Sequence, residues 1–222
     1  MDAQTPKPRE LSLPQAFLLL ATNDADGEPE VPRPVLQAGV AGAILAELDL
    51  LGAIELRGKH VMPTGDVVES DFQHELELIR HKARPHTPRS WVSILENRAT
   101  VHRIYEGMAA QGIVDHVGEK HLGLFRTTRY PEKDHAPEAA VLKSIGSALA
   151  GGPAGSAASG DGLPNRRATA LIALLHVVGL LEQLFPDADP SRARDMANSH
   201  WPSHAVSEEV RSIRLAEAEA AT

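Results

Sequence analysis

Residues Gly39 to Asp66, GVAGAILAELDLLGAIELRGKHVMPTGD, decide how this chain folds. Ala43, Leu45, Leu48 and Leu51 recur at a spacing that buries one face of a helix, while Gly39 and Gly42 let a neighbouring element approach the backbone closely. Gly52 is placed to end that helix in the left-handed conformation. Ile54 and Leu56 then alternate with Glu55 and Arg57, the pattern of a half-buried strand, and Arg57-Gly58-Lys59 turns the chain back towards Val61. A Pro-Thr-Gly-Asp turn closes the block, which contains no catalytic constellation.

Helical signals dominate on either side. Before the block, Ser12-Leu13-Pro14-Gln15 fits a capping box ahead of the apolar run AFLLLA, and a polar, proline-rich loop spans Asn23 to Pro34. After it, Val68, Phe72, Leu76 and Ile79 predict a helix over Val67 to His81, and Thr87 with Pro88 at the first helical position opens a short one through Ile94. A helix is expected over Ala99 to Gln111, stopped by Gly112. A hairpin pairing Ile113–Val117 with Leu122–Thr128 around Gly118-Glu119-Lys120 follows. A helix over Pro137 to Leu149 precedes GGPAGSAASGDGLPN, read as a flexible glycine-serine surface loop at 151–164. Asn165 is placed to cap a nearly all-apolar helix running to Phe185, the expected central buried element. Helices from Ser191 and from Ser203 complete the chain. The expected fold is mainly α, a single globular domain over 1–222 with a central apolar helix surrounded by helices, plus small β-hairpins.

The chain has 222 residues, 42% hydrophobic and 23% charged, which suits one sizeable core. Aromatics are only 4%, so that core must be built from Leu, Ala, Val and Ile. There is no cysteine, which excludes disulfides, thiolate ligands and thiol nucleophiles. The longest apolar run, Ala168 to Leu181, is interrupted by His176 and falls short of the roughly 20 residues of a membrane span. MDAQTPKPRE lacks the apolar core of a signal peptide, so a cytoplasmic location is expected, with membrane contact peripheral and on the inner face. A formal net charge of −8 opposes general adsorption to nucleic acid or an anionic bilayer, although Arg and Lys cluster at Arg80–Arg89 and Arg126–Lys133.

Catalytic and metal patterns are weak. His200 and His204 are four apart with Pro202 between them, where it would break a continuous helix. His74 and His81 lack a third ligand, and His74-Glu75-Leu76-Glu77-Leu78 is not a zinc-protease motif. His176 in ALLHVVG has neither a partner nor a pocket and reads as a core histidine. No nucleophile elbow, Walker loop or dinucleotide glycine loop is present. No enzyme, no cofactor and no metal site are expected. Ala99 to Pro131, a helix followed by a hairpin carrying Arg126 and Arg129, has the look of a winged helix, but TVHRIYEGMAAQG offers little beyond Arg103 and Thr100 for base edges. The same hairpin offers Leu122, Leu124 and Phe125 with Lys120, Arg126 and Arg129. These either insert apolar tips among lipid phosphates or pack on the protein body.

Four pieces keep the order and rough spacing of a known family: Leu11 to Ala21 (LSLPQAFLLLA), the opening block, Leu122 to Pro131 (LGLFRTTRYP) and Asn165 to Phe185 (NRRATALIALLHVVGLLEQLF). On these the chain resembles the Golgi phosphoprotein 3 family over nearly its whole length, and its arginine- and alanine-rich composition suits a bacterial member. Eukaryotic members bind phosphatidylinositol 4-phosphate on Golgi membranes. The resemblance implies a non-enzymatic peripheral membrane or adaptor protein binding a phosphoinositide or another anionic phospholipid, with a hairpin used in membrane contact and self-association. The alternatives are an oligomerising protein-interaction module without lipid binding, or a winged-helix DNA binder. The family's headgroup pocket uses one tryptophan and three arginines. Carried onto this chain, the tryptophan falls at Pro32, the first arginine at Ala41, and the helix arginines at Val101 and Arg103. Only Arg103 keeps its type. Arg33, Arg98 and His102 are the remaining candidates for a rebuilt anion site, and Arg103 can alternatively pair with Glu106 along its own helix.

Overall fold

The computed structural model describes residues 10–121, 125–150 and 163–220. Helix α1 (Leu13–Leu20) starts as the capping box requires: the Gln15 amide donates to Ser12 Oγ at 3.4 Å, and Gln15 Oε1 accepts from the Ser12 amide at 3.0 Å. Helix α2 (Arg33–Leu50) is buried on nearly every side from Val35 to Leu48, which is why its sequence is apolar all round. A Cβ on Gly39 would lie 2.3 Å from the Phe17 ring of α1, and one on Gly42 would lie 2.1 Å from a Val206 methyl. Both glycines are there for contact with neighbours. Gly52 takes φ +72, and the Ala53 amide reaches back to the Leu48 carbonyl at 2.9 Å, closing the helix as expected.

Strands β1 (Ile54–Arg57) and β2 (His60–Pro63) form the expected hairpin, with Leu56 opposite Val61. Helix α3 covers only Gln73–Arg80, shorter than the predicted 67–81. Ser70 Oγ accepts the Phe72 amide at 3.1 Å, a local bond that competes with helix formation at that end. Phe72, Leu76 and Ile79 are nonetheless buried, so the apolar spacing was read correctly beyond the helix itself. Thr87 caps α4 (Pro88–Leu95), and Asn97 Oδ1 caps α5 (Arg98–Ala110) through the Thr100 amide at 2.7 Å.

Strands β3 (Val117–His121) and β4 (Phe125–Arg129) pair antiparallel. The register differs from the expectation: Gly118, Glu119 and Lys120 lie within β3, and the connection falls at 122–124, outside the described residues. Of the expected first strand, Ile113–Val117, only Val117 belongs to β3, and Val114 forms an isolated bridge with Glu132. Among the described residues the two strands contact each other, and neither packs extensively on a helix.

Helix α6 (Ala136–Ala150) precedes the glycine-serine stretch, of which 151–162 lie outside the described residues. Helix α7 spans Leu163–Val178, so Asn165 is inside the helix and does not cap it. The predicted run to Phe185 is cut at Gly179, φ +90, where the Leu180 amide returns to the Leu175 carbonyl; α8 (Leu181–Leu184) is a separate turn. Helices α9 (Pro190–Ser199) and α10 (Trp201–Ala220) follow. The core joins α2 and α7 at its centre, with α1, α6, α9 and α10 around them. The protein is thus mainly α, 63% helical, with two small antiparallel strand pairs in one globular unit. No helix among the described residues is long and apolar enough to cross a membrane.

Candidate functional site

The residues singled out for anion binding do not converge. Arg103 projects from α5 across to α3, where its Nη2 lies 2.5 Å from Glu75 Oε1 and its Nη1 donates to the Asp71 carbonyl at 3.3 Å. Its guanidinium carbon also sits 5.8 Å from the centroid of the Phe72 ring. Glu106 is not its partner. The arginine onto which the resemblance carries the family's pocket is therefore already paired with a buried carboxylate.

His102, one residue earlier, faces a different cluster. The Tyr130 hydroxyl donates to Glu106 Oε1 at 2.8 Å and meets His102 Nδ1. His116 Nδ1 lies 2.8 Å from the same Glu106 oxygen. The Tyr130 ring stacks on Tyr105, with centroids 4.3 Å apart and planes 2° from parallel, and the Tyr105 hydroxyl is 2.6 Å from Thr22 Oγ1. The bond from Tyr130, helped by His116, holds the Glu106 carboxyl below the usual range. Burial pushes Tyr105 up to about 12, and burial with the adjacent Glu106 also raises Tyr130. This network fixes the exit of the hairpin to α5.

Arg33 and Arg98 are exposed at the starts of α2 and α5 and form no ion pair among the described residues. Val101 and Ala41, the positions onto which the resemblance carries two of the family's arginines, are buried core residues. A cleft of about 410 Å³ lies beside Phe72, but its charged lining is Glu10, Glu47, Glu69 and Asp71 against Arg167 alone. Arg167 is itself committed. Its Nη2 and Nη1 reach Glu47 Oε2 and Oε1 at 2.9 and 3.2 Å, while Glu47 Oε2 also accepts the Leu13 amide at 2.7 Å. An anionic headgroup would meet a like-charged wall there.

Of the hairpin residues, Arg129 lies at the end away from the connection, opposite Val117, and pairs with Glu28 at 2.8 Å. Phe125 and Arg126 begin β4, with Lys120 opposite Arg126 and His121 opposite Phe125; Leu122 and Leu124 lie outside the described residues. The winged-helix reading weakens here, because Thr100 is buried and Arg103 is paired, so α5 offers neither to a base edge.

The histidine pairs also stay apart. Pro202 is the second residue of α10, so it starts that helix and does not interrupt one. His200 precedes the helix, with Nδ1 2.7 Å from Ser203 Oγ, whereas His204 is exposed. His74 is exposed and His81 pairs with Glu77 at 3.0 Å. His176 is half-buried, and burial followed by nearby Arg194 lowers its pKa.

Sequence reading missed a group at the exit of the hairpin. Asp24, Glu132 and His135 each place a ligand-type atom within 4.8 Å of the others. Glu138, in the first turn of α6, brings its carboxyl against that of Glu132; burial and the adjacent carboxylates raise it to about 7. Burial likewise raises Glu132, and the Glu132 contact raises His135. The only signal in the sequence was Glu132-x-x-His135-x-x-Glu138 around a helix start, and Asp24 is far from it along the chain.

The fold is a mainly helical body carrying a two-stranded hairpin. The Golgi phosphoprotein 3 (GPP34) family model matches residues 13–213, and the chain belongs to that family. No curated protein matches it.

Proposed function

We propose that this protein is a non-enzymatic peripheral membrane protein that binds anionic phospholipid through its β3–β4 hairpin. The carrying observation is membership of the Golgi phosphoprotein 3 family across 13–213. Three features support the hairpin as the contact. The strands lack extensive packing on the helices, Lys120 stands opposite Arg126, and Leu122, Leu124 and Phe125 fall at or beside the connection. Apolar tips flanked by basic residues suit the interface between lipid headgroups and acyl chains.

The reading favours anionic surfaces in general over a phosphatidylinositol 4-phosphate pocket. Arg103 and His102 are engaged inside the protein, and the neighbouring cleft is acidic. Arg33 and Arg98 remain as secondary phosphate contacts. A second copy of the chain is a competing occupant of the hairpin, since a two-stranded sheet leaves both of its edges open to strand addition.

Co-sedimentation with vesicles containing phosphatidylinositol 4-phosphate, phosphatidylinositol or phosphatidylserine tests this. Each basic residue near an anionic bilayer contributes about 1 kcal/mol, so Lys120→Ala with Arg126→Ala is expected to weaken vesicle binding roughly 30-fold. Binding should fall with salt and differ little among the anionic lipids. Absence of binding to every anionic vesicle, with self-association that persists at high salt, would replace this reading with the oligomerisation module.

A further inference from the structure

The Asp24, Glu132 and His135 group lies outside the proposed lipid-binding surface and belongs to three separate segments. Asp24 is in the loop after α1, Glu132 follows β4, and His135 precedes α6. The backbone holds the segments together independently of these side chains. The Glu132 amide donates to the Asp24 carbonyl at 3.0 Å, and the Tyr130 amide donates to the Gly27 carbonyl at 3.2 Å. Gly27, at φ +70, makes this approach possible, since a Cβ there would lie 2.3 Å from the Pro131 nitrogen. The ligand-type groups are therefore preorganised.

A cluster of carboxylates alone is common on protein surfaces, but Glu132 adds a separate observation. Its side chain is 2% exposed, Oε2 meets His135 Nδ1, Oε1 has no N–H or hydroxyl donor, and the Glu138 carboxyl is hydrogen-bonded to the same group. A carboxylate sealed from water whose further contact is a second carboxyl holds excess negative charge that a cation would offset. The nearby basic residues do not relieve it: Lys133 is paired to Asp115 at 2.8 Å and Arg129 to Glu28. Glu138 brings a third carboxylate against Glu132. Three carboxylates thus face one imidazole, and the unmatched charge is negative.

We infer that Asp24, Glu132 and His135, with Glu138 beside them, form a binding site for one divalent first-row transition-metal ion that ties the hairpin exit to α6 and to the loop after α1. The donor set selects the ion class. Carboxylates alone suit magnesium or calcium, whereas an added imidazole suits zinc and its neighbours. Zinc holds oxygen and nitrogen at about 2.0–2.2 Å, so its donors lie roughly 3.4 Å apart. Ligand atoms within 4.8 Å of one another reach that spacing by small side-chain adjustments, which Asp24 and His135 can supply because both are exposed. Their exposure also leaves open positions on the ion for water.

The test is titration of the full-length, untagged, chelator-treated protein with zinc chloride and, separately, manganese chloride, followed by calorimetry and thermal unfolding. One equivalent is expected to bind, and at a hundredfold excess over Kd the melting temperature is expected to rise about 5–10 °C. Glu132→Gln and His135→Ala should each weaken that equivalent at least tenfold. Asp24→Asn, at an exposed loop position, gives the same readout should the Glu132 variant fold poorly. Failure to bind either ion below about 1 mM, or binding unchanged in all three variants, would overturn the site; the latter outcome would place the metal on other histidines.

Discussion

Replacing Arg103 by alanine should destabilise the fold before it changes any ligand affinity. The Glu75 side chain is 4% exposed and that of Arg103 46%, and the contact between them is 2.5 Å. Removing the arginine leaves a buried carboxylate with neither of its oxygens bonded, because Oε2 already has no hydrogen-bond partner. Breaking a fully buried pair from one side costs about 3–5 kcal/mol. Arg103 is half open, so water replaces part of what it supplied, and about 2–3 kcal/mol is the expected loss. In a protein of this size that lowers the melting temperature by roughly 4–12 °C. Urea unfolding followed by circular dichroism, applied to Arg103→Ala, Glu75→Gln and the double variant, separates charge from packing. Glu75→Gln removes the buried charge, so the double variant should recover at least half of the single-variant loss. A single variant within about 0.5 kcal/mol of wild type, or a double variant no better than it, would refute the argument. The result also governs lipid work: weaker vesicle binding by Arg103→Ala counts against the pocket only at temperatures where the variant is shown to be folded.

Glu47→Ala should be more damaging, about 3–5 kcal/mol by urea unfolding, since it strands both the Arg167 guanidinium and the Leu13 amide at the junction of α1, α2 and α7. Gly42→Ala should cost about 1–2 kcal/mol, because overpacking against Val206 outweighs the gain in helix propensity; an increase in melting temperature would show that α10 can shift. Burial lowers His200 to about 4, below the ordinary value of about 6.5 that the unfolded chain keeps. The unfolded chain therefore takes up a proton that the folded chain refuses between those values, and about 3 kcal/mol of stability is lost on acidification from pH 6.5 to 4. In His200→Gln, stability curves against pH should lose that slope, and an identical slope would exclude His200 as its source.

The fold was legible where local chemistry alone decides. Ser12, Gly52 and Thr87 set helix ends by bonds within a few residues, and each lies where the pattern put it. Misses came where a local rule was outvoted. The apolar run from Asn165 to Phe185 looked continuous because Leu180 and Leu181 keep the helical composition, yet Gly179 ends α7 through its own carbonyl closure. In the second hairpin, Gly118 looked like a turn but sits in β3, because the pairing of Val117 with Arg129 sets a later connection. The site was less legible. Nothing in the spacing of Arg103 marks a partner on another helix 28 residues away, and nothing about Asp24 marks a carboxylate against Glu132.

The two arginines paired with buried carboxylates and the family's headgroup chemistry are connected by a simple electrostatic constraint. A guanidinium binds a lipid phosphate well only when its charge is not already met by a protein carboxylate. Where the resemblance places the family's arginines, this chain has Ala41 and Val101 in the core, and the surviving Arg103 faces Glu75. Arg167, the cation of the acidic cleft, is likewise closed by Glu47. Stability and ligand binding thus compete for the same guanidinium groups, and here they are spent on stability. Any anionic surface must be met by cations outside these pairs, and the ones proposed are Lys120 and Arg126 on the hairpin with Arg33 and Arg98 at two helix starts. These four lie on separate elements, the hairpin and the starts of α2 and α5, which is why selectivity among anionic lipids is expected to be small even if binding is strong.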